Sequence, residues 1–484
     1  MRTSGVTRYE VFTGVVTASQ LVWCVGTQNG SGRFFLEKGE VLQYLFSKKD
    51  LRKLIIPLFI EQFLLISVGI VDIIMVASVG EGAVSAVNLV DTIMVLLINV
   101  FTALATGGAI VAGQYLGKKN EEKGCEATEQ LVLAAAVISV VIMVLMYFAK
   151  GFILHVVFGE IDDAVMRMCN QYFVFVTLSI PFIAIYNAGA AIYRSMGDSK
   201  TPMFVSLLMN VIHIAGNAVL IYGLHFGVEG AAIPTLFSRI LAGVSMMLLL
   251  RYKKRTLYIR RFSAIRPNLK MLKKIFHIGI PFGIENSMFQ LGKILVLSVV
   301  SRFGTTSIAA NAVANSIATV AVLTGIAADY ALSAVSAQCV GAGQYDQVRY
   351  YTKKILRYAY TSIIVTNVVI ALLLPVIIQV YNLSPDTAAL TRQIILYHAV
   401  LSSLIWPLSF TMPSTLRAAN DVGYCMWISI LSMWIFRIIC SYVLADYFAL
   451  GVMGVWIAMT IDWAVRAAFF TVRYVRGRWQ FHAI

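Results

Sequence analysis

Residues 57–80 read PLFIEQFLLISVGIVDIIMVASVG, and residues 281–304 read PFGIENSMFQLGKILVLSVVSRFG. Each is an apolar segment long enough to cross a bilayer, opening on proline, carrying a glutamate four residues later and closing on glycine. Pro57, Glu61 and Gly80 of the first return as Pro281, Glu285 and Gly304 of the second, 224 residues on. The same interval separates Gln114 from Gln338, Gly117 from Gly341, Gly227 from Gly451 and Gly230 from Gly454. Arg194 and Asp198 recur at Arg417 and Asp421, an interval of 223. Chance pairings do not hold one register from Pro57 to Gly230, so the chain is two related halves.

The 484 residues are 59% AVILMFWYC and only 13% charged, against roughly 45–50% and 25% in soluble globular proteins. Mean hydropathy is +0.79. A cytosolic enzyme and a nucleic-acid-binding protein are excluded on that balance. At about 20 apolar residues per span plus a loop, the length holds roughly a dozen spans. They read at 53–77, 84–108, 129–152, 168–193, 203–223, 230–250, 276–301, 307–335, 355–380, 392–414, 426–446 and 452–473. The half-apolar stretch Val11–Val25, broken by Thr, Ser and Gln, lacks the clean core and cleavage site of a signal peptide. Residues 1–47 are therefore expected to be a disordered extension. The six cysteines form no CxxC pair and read as free thiols.

Net charge is +15, and its placement matters more than its size. Twelve spans put both termini on one side. Lys48/Lys49/Arg52/Lys53, Lys118/Lys119/Lys123, Arg349/Lys353/Lys354, Arg473/Arg476/Arg478 and the ten Lys/Arg of loop 251–274 all fall there. The opposite loops are short and hold acids such as Glu81, Glu160, Asp162, Asp163 and Asp386. Basic loops stay in the cytoplasm, so the termini are expected there, in a bacterial cell (inner) membrane. The reading is an all-α, multi-pass protein: an N-lobe at 48–250 with spans 1–6, a basic cytoplasmic linker at 251–274, a C-lobe at 275–475 with spans 7–12, and a tail at 476–484. Six is even, so the halves are parallel repeats, an arrangement that suits alternating access.

Ionisable groups at membrane depth cost about 2.5–3.5 kcal/mol each on insertion scales and mark function. In the first span Glu61 and Asp72 are eleven residues apart, nearly in line on a helix of 3.6 residues per turn, so both are expected to face one interior. There a carboxylate exchanges H⁺ or Na⁺ for a cationic substrate; a charge near a helix end that snorkels is the alternative for Glu61. In the fifth span Asn210, His213 and Asn217 form one stripe, and histidine ordinarily titrates near neutral pH; helix-to-helix glue is the other reading. Arg437 stands 224 residues after His213 and needs an acid or water. Glu285, Asn286, Gln290 and Lys293 line the seventh span and Asp329 lies in the eighth; Lys293 and an acid on a facing helix are expected to neutralise each other. Asp462 and Arg466 read as a structural i, i+4 pair. No GxxxxGK[ST], HExxH or GxSxG is present, so neither ATP-driven transport nor hydrolytic chemistry is indicated.

Val71-Asp72 leading to Gly80, Gln114-Tyr115-Leu116-Gly117, Tyr193-Arg194-Ser195-Met196-Gly197-Asp198, Gly216-Asn217 to Tyr222-Gly223, Gly230-Ala231-Ala232 and the echoes Gln338-Cys339-Val340-Gly341 and Leu416–Asp421 come in a specific order. In that order, over about 45–475, the chain resembles the multidrug and toxic compound extrusion (MATE) transporters of the MOP flippase superfamily. The resemblance implies a V-shaped pair of six-helix bundles that exports organic cations against H⁺ or Na⁺. It implies that Asp72 is the coupling aspartate, that Asn217 stands where relatives carry a fifth-span acid, and that Asn187 and Thr235 add polar contacts. Where another branch has a seventh-span acid this chain has Gln290, with Glu285 close by, and the tenth span holds no acid.

The expected function is secondary antiport of organic cations. A lipid-linked oligosaccharide flippase of the same superfamily is the alternative, kept open by Lys293, Arg437 and His213, and a membrane-embedded enzyme is a third. The ion-coupling candidates are Asp72, Glu61, His213, Asn217 and Glu285. The cavity candidates are Asn187, Asn210, Thr235, Gln290, Lys293, Asp329 and Arg437. No cofactor is expected beyond the coupling H⁺ or Na⁺, and no metal apart from Na⁺ at Asp72. Small organic cations and the lipid bilayer are the expected partners, with no nucleic acid, and the chain is expected to be a monomer.

Overall fold

A bilayer offers no partner for a bare backbone N–H or C=O, and a helix pairs them within the segment. In the computed structural model, which describes residues 34–37, 40–157, 159, 161–260 and 265–482, the apolar segments accordingly form a succession of helical rods. Spans 1 to 3 are Lys48–Ala77, Glu81–Gly117 and Glu121–Phe152, the last continued by a π-helical turn Ile153–Val157. Span 4 is the pair Asp163–Leu178 and Ile180–Ser195, bent by 44°. Span 5 is Lys200–Asn217 with π-helical Ala218–Gly223, and span 6 is Glu229–Leu250. Span 7 is Leu269–Val300, span 8 the pair Gly304–Ala321 and Leu323–Gly341, and span 9 Tyr345–Val380. Span 10 runs from Pro385–Trp406 through to Pro413–Ala418, span 11 from Val422–Ser432 to Val443–Tyr447, and span 12 is Gly451–Val475.

By length and apolarity alone ten helical stretches qualify as spans, with the bent pair as an eleventh. One of the ten, Leu269–Ala321, has 53 residues, about 80 Å of helix at 1.5 Å per residue, against a hydrocarbon core of about 30 Å. Gly304, at φ 81°, parts spans 7 and 8 within it, as Gly80, at φ 138°, parts spans 1 and 2. Both are conformations that only glycine adopts cheaply. The described residues therefore form twelve spans.

The extension ahead of span 1 departs from the expected disorder over its described part. Phe34–Glu37 and Glu40–Gln43 pair as an antiparallel hairpin. Leu45 N then donates to Gln347 Oε1 and Phe46 N to Tyr351 Oη on span 9, each at 2.9 Å. Ser47 and Asp50 cap span 1 reciprocally. The partners of Leu45 and Phe46 lie 302 and 305 residues away, beyond the reach of local sequence. Residues 1–33, with Val11–Val25 and Cys24, lie outside the described residues, as does Glu160. The basic linker is held against span 3: Leu257 and Ile259 are buried, and Gln130 Nε2 donates to Arg266 O at 2.8 Å.

Two of the four apolar cores mix the lobes and two do not. Near the linker, one core joins N-lobe residues such as Tyr193 and Leu250 to Ile275, Ala337 and Val422, and another joins Leu51, Leu54 and Leu58 to Ala331, Val335 and Tyr351. Near Gly80 and Gly304 the cores belong to one lobe each. The lobes thus meet at the linker end and part toward the other. At the meeting point Gln114 Nε2 donates to Ala418 O at 2.7 Å, and its repeat partner Gln338 donates to Ser195 O at 2.6 Å. The repeated glutamines clasp opposite lobes. Gly107 and Gly279 let spans 2 and 7 touch by backbone, for a Cβ on Gly107 would fall 2.7 Å from Gly279 N.

That contact has no flexible side chain to yield, so Gly107→Val is expected to wedge the linker end open. A cysteine placed at Ser195, buried between the lobes, should then react with a maleimide at least about tenfold faster, in a background freed of native cysteines. Equal rates with and without the valine contradict the closure.

Candidate functional site

Two buried ion pairs occupy repeated positions in the inner halves of the lobes. Glu61 Oε1 accepts Arg194 Nη2 at 2.6 Å and Tyr186 Oη at 3.1 Å. Glu285 Oε1 accepts Arg417 Nη2 at 2.8 Å and Ser429 Oγ at 2.6 Å. Each guanidinium also lies over a ring, Arg194 over Tyr330 of the other lobe and Arg417 over Phe282. The expectation that Glu61 and Asp72 share one interior is corrected here: the two fall in separate clusters, and Glu61 is neutralised by an arginine on span 4. The same applies to Glu285, whose charge is met by Arg417.

Asp72 lies in the outer half of the N-lobe. Asn217 Nδ2 donates to its Oδ1 at 2.6 Å, and His213 Nε2 is 3.5 Å from the same oxygen. His213 Nε2 is also 3.3 Å from Asn217 Nδ2 and 3.1 Å from Thr235 Oγ1. Asn217 ends the regular part of span 5 where the π-helical turn begins, a distortion common at functional sites. Two charged residues not singled out in the sequence complete this cluster. Asp91 on span 2 accepts Tyr172 Oη at 3.2 Å. Arg239 on span 6 donates to Ser179 Oγ at 2.8 Å, and its charge acts on Asp72, Asp91 and His213 together. Both lie within expected spans, and their ionisable side chains at that depth were the available signal. Two carboxylates stand against one guanidinium, a single net negative charge when both are ionised and His213 is neutral. Asn187 and Asn210 each keep Nδ2 buried without a partner, and neither is hydrogen-bonded into this cluster among the described residues.

The corresponding part of the C-lobe is basic. Asp462 accepts Arg466 Nε at 3.0 Å and Ser432 Oγ at 2.6 Å, the expected i, i+4 pair, with Arg437 Nη1 3.7 Å from its other oxygen. Lys293 does not pair with Asp329 as expected. Its Nζ stands 5.2 Å from the centre of the Phe289 ring, while Asp329 accepts Ser414 Oγ and faces a different space. That space is a central cavity of about 260 Å³ between the lobes, lined by Asp329, Gln290, Tyr330, Trp406, Phe410 and, from the N-lobe, Asn99 among others. Lys293 and Arg437 line a second cavity, of about 310 Å³, inside the C-lobe.

The sequence pattern of the MatE family matches residues 57–219 and, a second time, 281–443. The chain belongs to the MatE family of transporters. The two matches are offset by the 224 residues of the internal repeat, so each lobe is one family unit. Among relatives, "Probable multidrug resistance protein YoeA" of Bacillus subtilis is 28% identical over 83% of this chain and 86% of its own. "Uncharacterized transporter YisQ" of the same organism is 26% identical over 87% and 93%. The fold is that of a solved structure described as the outward-facing conformation of a multidrug resistance MATE family transporter, at a TM-score of 0.83 and 19% identity over 89% of this chain and 95% of the other. This MatE protein is thus a multi-pass membrane transporter with the two-lobe fold.

Removing one member of a buried ion pair strands the other and costs roughly 3–5 kcal/mol. Arg417→Leu is expected to lower the unfolding temperature in detergent clearly, and Glu285→Leu added to it should restore most of the loss. A single variant as stable as wild type contradicts the pairing.

Proposed function

We propose that this MatE transporter is a secondary antiporter that exports organic cations in exchange for H⁺, coupled at Asp72. The observation that carries the reading is the cluster of Asp72, Asn217, His213 and Thr235 with Asp91 and Arg239, two carboxylates against one guanidinium inside the N-lobe, which carry one net negative charge when both are ionised. In a low-dielectric interior one negative charge is neutralised by one monovalent cation, and a second arriving cation must displace the first. A proton and an organic cation that compete for this charge exchange one for one. His213 presents its ring nitrogen to Asp72 Oδ1, and Asn217 presents an N–H; a hard cation such as Na⁺ prefers a shell of oxygens, which favours H⁺. The lobes meet at the linker end, which the basic loops assign to the cytoplasm, so the structure is taken as outward-facing with cytoplasmic termini. The transporter works as a monomer by rocking of the lobes, and the multidrug names of its relatives support small organic cations as cargo.

The test is efflux of ethidium from proteoliposomes under imposed H⁺ and Na⁺ gradients in turn. Wild type should respond to the H⁺ gradient and Asp72→Asn should lose at least about tenfold of that rate. Efflux indifferent to Asp72→Asn overturns Asp72 as the coupling group, and efflux driven by Na⁺ alone overturns H⁺. No efflux of any cation from folded protein favours the lipid-linked sugar flippase.

A further inference from the structure

The internal repeat allows the two outer sites to be compared position by position. At the interval of 224, Asp72 corresponds to Val296, Asp91 to Asn315 and His213 to Arg437. Val296, Asn315 and Arg437 all line the 310 Å³ cavity of the C-lobe, together with Lys293, Asn311 and Trp456. That cavity is therefore the repeat-related counterpart of the Asp72 site, with both acids replaced by uncharged side chains and the histidine by an arginine. Its polarity is reversed.

The positive charge there is only partly met by the protein: Lys293, Arg437 and Arg466 stand against the single carboxylate of Asp462. Arg437 is 7% exposed, and its Nε and Nη1 have no hydrogen-bond partner. Its one ion pair is with Asp462, whose Oδ2 lies 3.7 Å from Nη1 while Oδ1 holds Arg466 and Ser432, so that carboxylate is shared between two guanidiniums. Lys293 has no ion pair among the described residues. The two cations flank one ring, Lys293 Nζ at 5.2 Å and Arg437 Cζ at 5.1 Å from the centre of Phe289. Arg437 is carried on the π-helical turn Met433–Ile439, the kind of irregularity that re-aims a side chain from a span. A lysine and a buried arginine lining a cavity at membrane depth call for an anion, and a guanidinium beside an ammonium suits the oxygens of a carboxylate or phosphate. Trp456 supplies a flat apolar wall beside them, and its Nε1 is already committed to Asn311 Oδ1 at 3.1 Å.

We propose that the C-lobe cavity is an anion site that takes the carboxylate or phosphate group of an amphipathic ligand between Lys293 and Arg437. The group comes either from a soluble aromatic acid or from the headgroup of an anionic lipid. This site is separate from the Asp72 cluster and does not rest on its coupling role.

The probe is benzoate, titrated calorimetrically into the full chain in phosphatidylcholine nanodiscs, with benzamide as the uncharged control. Wild type is expected to bind benzoate saturably and benzamide not at all. Arg437→Gln and Lys293→Met, each checked for an unchanged unfolding temperature or read by the other where one is unstable, should each weaken benzoate at least tenfold. Repeating the titration in phosphatidylglycerol nanodiscs separates the sources: unchanged affinity assigns the site to soluble acids, and affinity weakened tenfold or more assigns it to lipid phosphate. No saturable binding in either lipid, equal binding of benzamide, or full affinity in both variants overturns the proposal. Benzoate binding in wild type that exports no ethidium would sink the antiport reading and leave this one standing.

Discussion

A charge carried into the low-dielectric core of a membrane protein must meet an opposite charge, a hydrogen bond or a ligand, and this requirement sorts the polar residues of the chain. Glu61 with Arg194 and Glu285 with Arg417 meet it inside the protein, at contact distances of 2.6 and 2.8 Å. These pairs are buried and recur in both lobes. They tie span 1 to span 4 and span 7 to span 10, fixing each bundle near the end where the lobes join. The outer clusters meet the requirement incompletely. Around Asp72 two carboxylates stand against one guanidinium, and around Arg437 positive charge is left over beside a cavity that a ligand can enter.

The repeat explains why the contrast is informative. Two lobes built from one unit place equivalent side chains in equivalent surroundings, so a difference between them reflects the residue and not the architecture. The clasp at the linker end keeps the symmetry: Gln114 reaches Ala418 and Gln338 reaches Ser195. The outer sites abandon it, with Asp91 opposite Asn315 and His213 opposite Arg437. One outer site is thus acidic in make-up and its repeat counterpart basic.

Much of this was legible in the sequence. The interval of 224 reveals the halves, and of the repeated positions Gln114, Gly117, Gln338 and Gly341 are where the lobes touch. His213 and Asn217 are visible locally as a stripe on span 5, and the structure sets Asp72 of span 1 and Thr235 of span 6 beside them. Pairings across helices are not visible in this way. Glu61 and Arg194 are 133 residues apart, and the signal that linked them was that both recur in step, as Glu285 and Arg417. Asp91 and Arg239 were missed because each stands alone on its own span, and only the packed bundle sets them beside Asp72. Leu45 and Phe46 seemed part of a loose extension because their partners lie on span 9.

The central claim is that a proton and an organic cation share one negative charge at Asp72. Its most direct test is the heat of ethidium binding to the solubilised protein across the acidic-to-neutral pH range, in two buffers of different ionisation enthalpy. Competition predicts buffer-dependent heats that approach about one proton released per ethidium bound at the pH where the carboxylate is protonated before binding, and no buffer dependence in Asp72→Asn. Heats that do not depend on the buffer in wild type, or an equal release in Asp72→Asn, would contradict the account.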